Sequence, residues 1–457
     1  MSYSSAKPVS RYTSSAGLYA LGLYLRSVGF WDPIDTTVHI AQKTVRYRPL
    51  EKLRTAVCLF LSGAEHIVET NKRLRGDPAL CEALGCAPCE QSVLQETLSA
   101  CTRSTVEEYH LAAGMIFQRF SRACRHDFQK AMLVLDIDLS GLTCGKTAEG
   151  ATKGYFAHRK NKTGRQAGRV LASAHNEVVT DDVFVGTEQL AFAVPRLLEE
   201  ASRVLNLTKE TKARTLVRLD AGGGTKGEIE GLIQAGYQIL VKIYAWHTAT
   251  AMRRQVQRWI DDPRTPGRHV GWVPTGTKGY PDNVSLVGLR FVKANGTEGG
   301  AVIATTLSAN QVIALVGWPK EDAKDPDRVL LATTLLYDQR GGGVETAFRE
   351  DKQGLGLDHC NKRSLAGQQM ITGMIALAHN LTVWAREWLG AVVPDLRRFG
   401  IVRMLRDVLG VRGCVTTNKG SPVRITLAET EPYVAKIAQA FIGLCSPHIA
   451  TLHLGEI

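Results

Sequence analysis

Three acids stand where apolar segments end. Asp138 closes AMLVLDIDLS, a short apolar run with the texture of a buried strand, and Asp220 closes a second such run, TLVRLD. Glu345 sits in the first turn of the helix predicted for VETAFREDKQ, which Gly354 stops. Strand ends of a parallel sheet lie side by side, so carboxylates distant in sequence converge there, and a helix packed on that edge can deliver a third. Each acid alone reads as a strand-end or helix-start residue; the combination is what points to chemistry. Clustered hard oxygen ligands suit Mg²⁺ or Mn²⁺. Two such ions about 3.5–4 Å apart activate an attacking hydroxyl and stabilise the leaving oxygen of a phosphodiester. Asp136 shares the strand face of Asp138. Asp138, nearer the strand end and followed by a polar LSG turn, is the expected first acid, with Asp136 as the alternative.

The elements that must position these acids form an α/β unit. GRVLASAHNEVV reads as β-rich, EQLAFAVPRLLEEASRVL and GEIEGLIQAGY as helices, and QILVKIY as a third buried strand. Residues 247–330 break the rhythm with Gly, Pro, Thr and Val, which predicts a β-rich insertion. The unit resumes at VLLATTLLY, predicted as a strand ending at Tyr337. Residues 1–130 read as mostly helical. Asp77-Pro78 caps ALCEALG, and CEQSVLQETLSAC follows, so a helix-turn-helix and a plain helix pair are both open. The run from Ala16 predicts an amphipathic helix ended by Pro33. The expected divisions are 1–130, a helical DNA-binding domain; 131–246 and 331–390, the two parts of the catalytic core; 247–330, the insertion; and 391–457, a basic C-terminal region.

Composition narrows the partners. Among 457 residues, 56 Lys and Arg against 44 Asp and Glu leave a charge of +12, which favours a polyanion, nucleic acid before membrane. The uncharged stretch 364–385 holds Gln368, Gln369, His379 and Asn380, so it predicts a buried helix rather than a span. Ten cysteines are too sparse for a disulfide scaffold, which favours a reducing cytoplasm. Cys86-Ala-Pro-Cys89, near Cys81 and Cys101, reads as buried helical cysteines before zinc. SGLTCGKT lacks the first glycine of a phosphate-binding loop. The basic turn HRKNKTGR offers Arg159, Lys160, Lys162 and Arg165 to DNA phosphates, and the arginines of LRRFGIVRMLRDVLGVRG suit a DNA backbone or a solvated helix face. Trp246, Trp259 and Trp272 are candidates for core packing or for stacking on an unpaired base.

The segments LVLDIDLSGLTCGKTAEGATKGYF, LVRLDAGGGTKGEIEGLIQAGY and LLYDQRGGGVETAFREDKQGLGL resemble the DDE transposases of bacterial insertion sequences, in the subgroup with a Tyr-Arg-Glu-Lys signature. VRYRPLEKLRTAVCLFLSGAEHIVETNKRLRGDPAL and LAHNLTVWAREWL are similar to that family too. The resemblance implies a ribonuclease-H-like core with a β insertion between the second Asp and the Glu. It implies that Asp138, Asp220 and Glu345 hold two Mg²⁺ or Mn²⁺ ions, and that Tyr337, Arg340 and Lys352 are the signature's accessory residues near the scissile phosphate. Lys352, seven residues from Glu345, falls on the same helical face. Four residues, GGGV, separate Arg340 from Glu345 where the family usually has three, and Arg349 is the alternative arginine. The implied activity is cut-and-paste transposition of double-stranded DNA: cleavage at terminal inverted repeats, strand transfer into target DNA, and action as a homodimer at the bacterial nucleoid. An inactive or domesticated DNA-binding relative and a two-metal nuclease without strand transfer are the rival expectations.

Overall fold

The run LVLDIDLSGLT forms a strand, β1 (Leu133–Thr143), in a computed structural model that describes residues 8–154, 156, 161–274, 280–293, 295–418, 421–447 and 453–456. The chain divides into two units: Arg122–Gly141 with Gln166–Ala347, and Met1–Ser121 with Leu142–Arg165 and Phe348–Ile457.

After β1 come β2 (Thr163–Ala172), β3 (Glu177–Val185), α1 (Leu190–Val204), β4 (Thr215–Leu219), α2 (Lys226–Gln234) and β5 (Gln238–Lys242). These strands lie in the order 3-2-1-4-5, the ribonuclease-H arrangement. β1 runs parallel to β4 with Asp136 opposite Arg218, and β4 runs parallel to β5 with Leu219 opposite Val241. Parallel neighbours need crossovers, and α1 and α2 are the helices available for them. The insertion then supplies α3 (Trp246–Arg253), β6 (Ile260–Asp261), β7 (Arg268–Trp272), β8 (Ser285–Val292) and β9 (Glu298–Thr305). β9 pairs antiparallel with β5, placing Ile303 opposite Lys242, so the insertion continues the core sheet as β5-β9-β8-β7-β6.

Beyond Thr305 the backbone turns helical: α4 (Ala309–Val316), α5 (Pro326–Asp338) and α6 (Val344–Gly354). VLLATTLLY is therefore helix, not the expected strand. Asp325 accepts hydrogen bonds from the backbone N–H groups of Asp327 and Arg328, and Pro326 opens the first turn. Thr333 and Thr334 return their hydroxyls to the carbonyls of Val329 and Leu330, which removes the polar cost of their burial. Capping and burial override the β preference of the run. Val134, Leu216, Leu240, Ile303, Val312 and Leu330 share one core between this sheet and these helices.

The other unit is built on α7 (Leu365–Val392), a helix buried on nearly every side, as the apolar stretch with its few amides predicts. Phe30, Phe117 and Phe120 pack around its Trp384. The N-terminal helix spans Ala16–Ser27, buried all round from Ala16 to Leu25; it stops before Gly29 (φ +60°), and Pro33 opens the next helix, Asp32–Thr37, instead of ending the first. Asp77 caps Pro78–Leu84 and Gly85 closes it in the left-handed region, as read. A four-stranded sheet pairs Val9–Thr13 with Gly413–Asn418, then Ser421–Leu427, then His453–Glu456. Among the described residues no helix is long and apolar enough to cross a membrane.

Candidate active site

Strand register brings the two aspartates together. Asp136 faces Arg218 across the parallel pair β1–β4, and two residues onward stand Asp138, on β1, and Asp220, just past the end of β4. The two acids of β1 differ in environment. Asp136 is fully buried: Arg218 donates from Nε to Oδ1 at 2.6 Å and from Nη2 to Oδ2 at 2.8 Å, and Ser173 Oγ also donates to Oδ2. Nη1 of Arg218 reaches the Leu336 carbonyl at 2.7 Å and ties the end of α5 to the sheet. Arg218 and Ser173 thus occupy the Asp136 carboxylate, leaving Asp138 as the strand's accessible acid. Neither Arg218 nor Ser173 was singled out from sequence, although an arginine inside the apolar run TLVRLD is itself the signal of a buried partner.

Asp138 takes a different arginine. Arg340, in the glycine turn between α5 and α6, places Nη2 3.0 Å from Asp138 Oδ2 and donates from Nη1 to Glu345 Oε1 at 3.0 Å; Nη2 also reaches the Ile137 carbonyl at 3.3 Å. One buried guanidinium thus bridges the first and third acids. Asp220 turns its Oδ1 to the Gly222 N–H at 2.8 Å and caps the turn after β4. Each glycine triplet holds a position that has no room for a side chain. A Cβ on Gly224 would lie 1.8 Å from the Lys242 carbonyl oxygen, and one on Gly343 would lie 2.2 Å from Asp136 Oδ2.

The charges are concentrated enough to shift one another. Burial pushes the Asp138 carboxyl up to about 6; Arg340 opposes this, while Asp220 and Glu345 add to it. Burial works against the Arg340 charge, but Asp138, Asp220, Tyr337 and Asp136 outweigh it and raise its pKa above the ordinary. Tyr337, half-buried at the end of α5, has its phenol pKa raised by burial, with Arg340 opposing and the acids Asp220, Glu345 and Asp138 reinforcing. Asp138, Asp220, Glu345, Tyr337 and Arg340 are therefore one electrostatic group. Its acids are all carboxylates, the hard donors a divalent ion takes, but with Arg340 lying between two of them the three do not stand within 4.8 Å of one another.

The remaining expected residues scatter. Arg349, exposed, and Lys352, half-buried, lie four and seven residues beyond Glu345 on α6. Lys162 is exposed, and Arg159 and Lys160 lie outside the described residues. Arg165 is corrected as a phosphate contact: it is 1% exposed, and its guanidinium donates to the carbonyls of Glu149 (2.6 Å), Lys362 (2.9 Å) and Arg363 (2.9 Å). It is an internal tie. In the C-terminal region Arg403 and Arg406 both reach Asp407, Arg412 pairs with Glu431, and Arg397 stands 3.8 Å from Glu387. Trp259 lies under Arg290 and Trp272 donates to the Pro326 carbonyl, whereas Trp246 is 68% exposed. None of the ten cysteines is in a disulfide.

No family model and no curated protein matches the chain. A solved structure, the cryo-EM structure of a piggyBac transposase synaptic complex with hairpin DNA, aligns over 89% of this chain and 82% of its own at 12% identity, with a TM-score of 0.43. At that identity none of its chemistry transfers to this chain.

Proposed function

We propose that the protein is a DNA transposase that cleaves the inverted-repeat ends of its own mobile element and joins them to target DNA. The observation that carries this reading is one buried arginine, Arg340, bridging Asp138 and Glu345, with Asp220 near enough to shift the charge of both Asp138 and Arg340, in a sheet of ribonuclease-H order. Asp138, Asp220 and Glu345 would hold two Mg²⁺ or Mn²⁺ ions. When bound, these ions supply Lewis-acid stabilisation of the attacking and leaving oxygens. The chain's own residues do the rest. Arg340 presents a planar fork that matches a phosphate as well as a carboxylate, so substrate phosphate competes for the guanidinium that now links Asp138 to Glu345. Arg349, Lys352 and Lys162 are the further basic side chains proposed to take DNA phosphates. Tyr337, its phenol held protonated by burial, is a hydrogen-bond donor beside the acids. The net charge of +12 draws DNA to the molecule, and a homodimer would bring two ends together.

The test is cleavage and joining of a labelled inverted-repeat end in Mg²⁺ or Mn²⁺. Wild type is expected to cut and to transfer the 3′ end, while Asp138→Asn, Asp220→Asn and Glu345→Gln bind the same DNA and cut none. Cutting without joining would make it a nuclease; binding without cutting in either metal would make it a DNA-binding relative and overturn the catalytic reading.

A further inference from the structure

Outside the three-acid group, Glu65, His66 and His359 offer one ligand atom each, all within 4.8 Å of one another, the one such cluster of His, Cys, Asp or Glu among the described residues. Glu65 Oε2 stands 3.3 Å from His359 Nδ1, and the His66 and His359 rings stack at 4.7 Å between centroids and 10° between planes. Asp358 Oδ1 lies 3.6 Å from His359 Nε2.

We infer that Glu65, His66 and His359 form a second metal site, selective for a borderline cation of the Zn²⁺ class. The donor chemistry sets the selectivity. Two imidazoles and a carboxylate are a Zn²⁺, Ni²⁺ or Cu²⁺ set, whereas Mg²⁺ prefers oxygen alone. Tetrahedral Zn²⁺ with bonds of about 2.0–2.1 Å puts its ligand atoms roughly 3.3 Å apart, so the cluster needs a contraction of about 1.5 Å at most and a turn of the stacked imidazole rings toward a common point. Half-exposed side chains supply that movement, and solvent or Asp358 fills the fourth position.

The backbones that carry the ligands are already fixed. Glu69 Oε1 accepts from the N–H groups of Glu65 (2.8 Å) and His66 (3.1 Å), and Arg73 anchors its other oxygen at 2.8 Å. Gly356 adopts φ +66° so close to the Glu65 carbonyl that a Cβ there would meet its oxygen at 2.1 Å. The Cys360 thiol donates to that same carbonyl at 3.4 Å, and His359 N–H closes the turn on the Gly356 carbonyl at 3.0 Å. Two segments almost 300 residues apart are thus held together before any metal arrives, which lowers the ordering cost of binding. A bound ion would cross-link the segment after Pro49–Leu61 to the turn after α6.

The experiment is calorimetric titration of the chelator-treated full chain with ZnCl2 and, separately, MgCl2, alongside thermal melts. One high-affinity equivalent of Zn²⁺ that raises the melting temperature, with no such response to Mg²⁺, is expected. His66→Ala and His359→Ala should remove that equivalent, and Glu65→Gln should weaken it by about 10–100-fold. Asp138→Asn and Cys86→Ser should retain it, separating the site from the three acids and from the buried thiols. With Co²⁺, a visible absorption band without thiolate charge transfer is expected. Zn²⁺ uptake that persists in the His66→Ala/His359→Ala double variant, or no uptake by wild type, would overturn the site.

Discussion

Two acid–arginine pairs stand two residues apart on β1, and they are built for opposite purposes. Asp136 pairs with Arg218, an arginine of the neighbouring strand whose remaining donor is spent on the Leu336 carbonyl. Asp138 pairs with Arg340, which arrives on a turn of three glycines and divides itself between Asp138 and Glu345. The deeper pair is a closed bidentate contact with both partners on rigid strands. The outer pair is shared, lies level with the end of β4, and has one partner, Glu345, whose side chain is 56% exposed. A buried ion pair is costly to break because the survivor is left charged and unpaired, while a pair near solvent lets water or a ligand take over. The same two residue types thus give a structural fastener in one layer and an exchangeable counter-charge in the next.

The sharpest way to break this comparison is to remove each acid in turn. Asp136→Ala leaves Arg218 buried without its partner and should cost about 3–5 kcal/mol, seen as a lowered urea midpoint for loss of the sheet unit. Asp138→Asn keeps the shape and removes a charge that burial disfavours, so at pH 7 it should raise stability, by up to about 3 kcal/mol, rather than lower it. Equal losses from the two substitutions would show that the outer pair is structural as well.

Acidity sharpens the contrast further. The Asp138 carboxyl is raised in the folded chain to about 6 from an ordinary value of 3.8, so between those values the folded state binds a proton the unfolded state has released. Stability contributed at this residue is therefore present below pH ~4 and lost as pH rises to ~6, by an amount on the order of 3 kcal/mol for a shift of this size. Unfolding free energies measured across that window should fall in wild type and lose that part of the fall in Asp138→Asn. In the same window a proton on Asp138 competes with a divalent cation, so cleavage should require more Mg²⁺ at pH 5.5 than at pH 7.5.

Most core elements were legible because their signals are local: an apolar run that ends near an acid, and a helix that opens on one; the expected turn after Asp138 was not, since the strand continues through Ser140 and Gly141 to Thr143. Parallel pairing then follows from the spacing of strand and helix. Arg165 was not legible, because a basic loop does not show which of its arginines turns inward to gather carbonyls. The helical state of VLLATTLLY was written in the Asp325-Pro326 cap, yet nine apolar and β-branched residues fit a buried strand equally well. The pairing of Val9–Thr13 with Gly413–Asn418 joins segments some 400 residues apart, and no local pattern specifies such a partner. Asp136 was ambiguous in sequence for the complementary reason: its partner Arg218 comes into reach only once β1 and β4 are in register.

The turn that carries Arg340 supplies the finest test. Its glycines are adjacent yet unequal: a Cβ on Gly341 or Gly342 meets nothing within 4 Å, whereas one on Gly343 runs into Asp136 Oδ2. Gly343→Ala must therefore push either the turn or the Asp136 carboxylate aside. The first displaces Arg340 from Asp138 and Glu345; the second lengthens the contact with Arg218. Overpacking of this kind costs about 1–3 kcal/mol, while Gly341→Ala and Gly342→Ala should stay within about 0.5 kcal/mol of wild type. A double-mutant cycle with Asp138→Asn tells the two routes apart. If the turn moves, the loss of the Arg340 contact is already counted in Asp138→Asn and the two effects fall short of additivity. If the Asp136 carboxylate moves, the damage stays in the inner pair and the effects add.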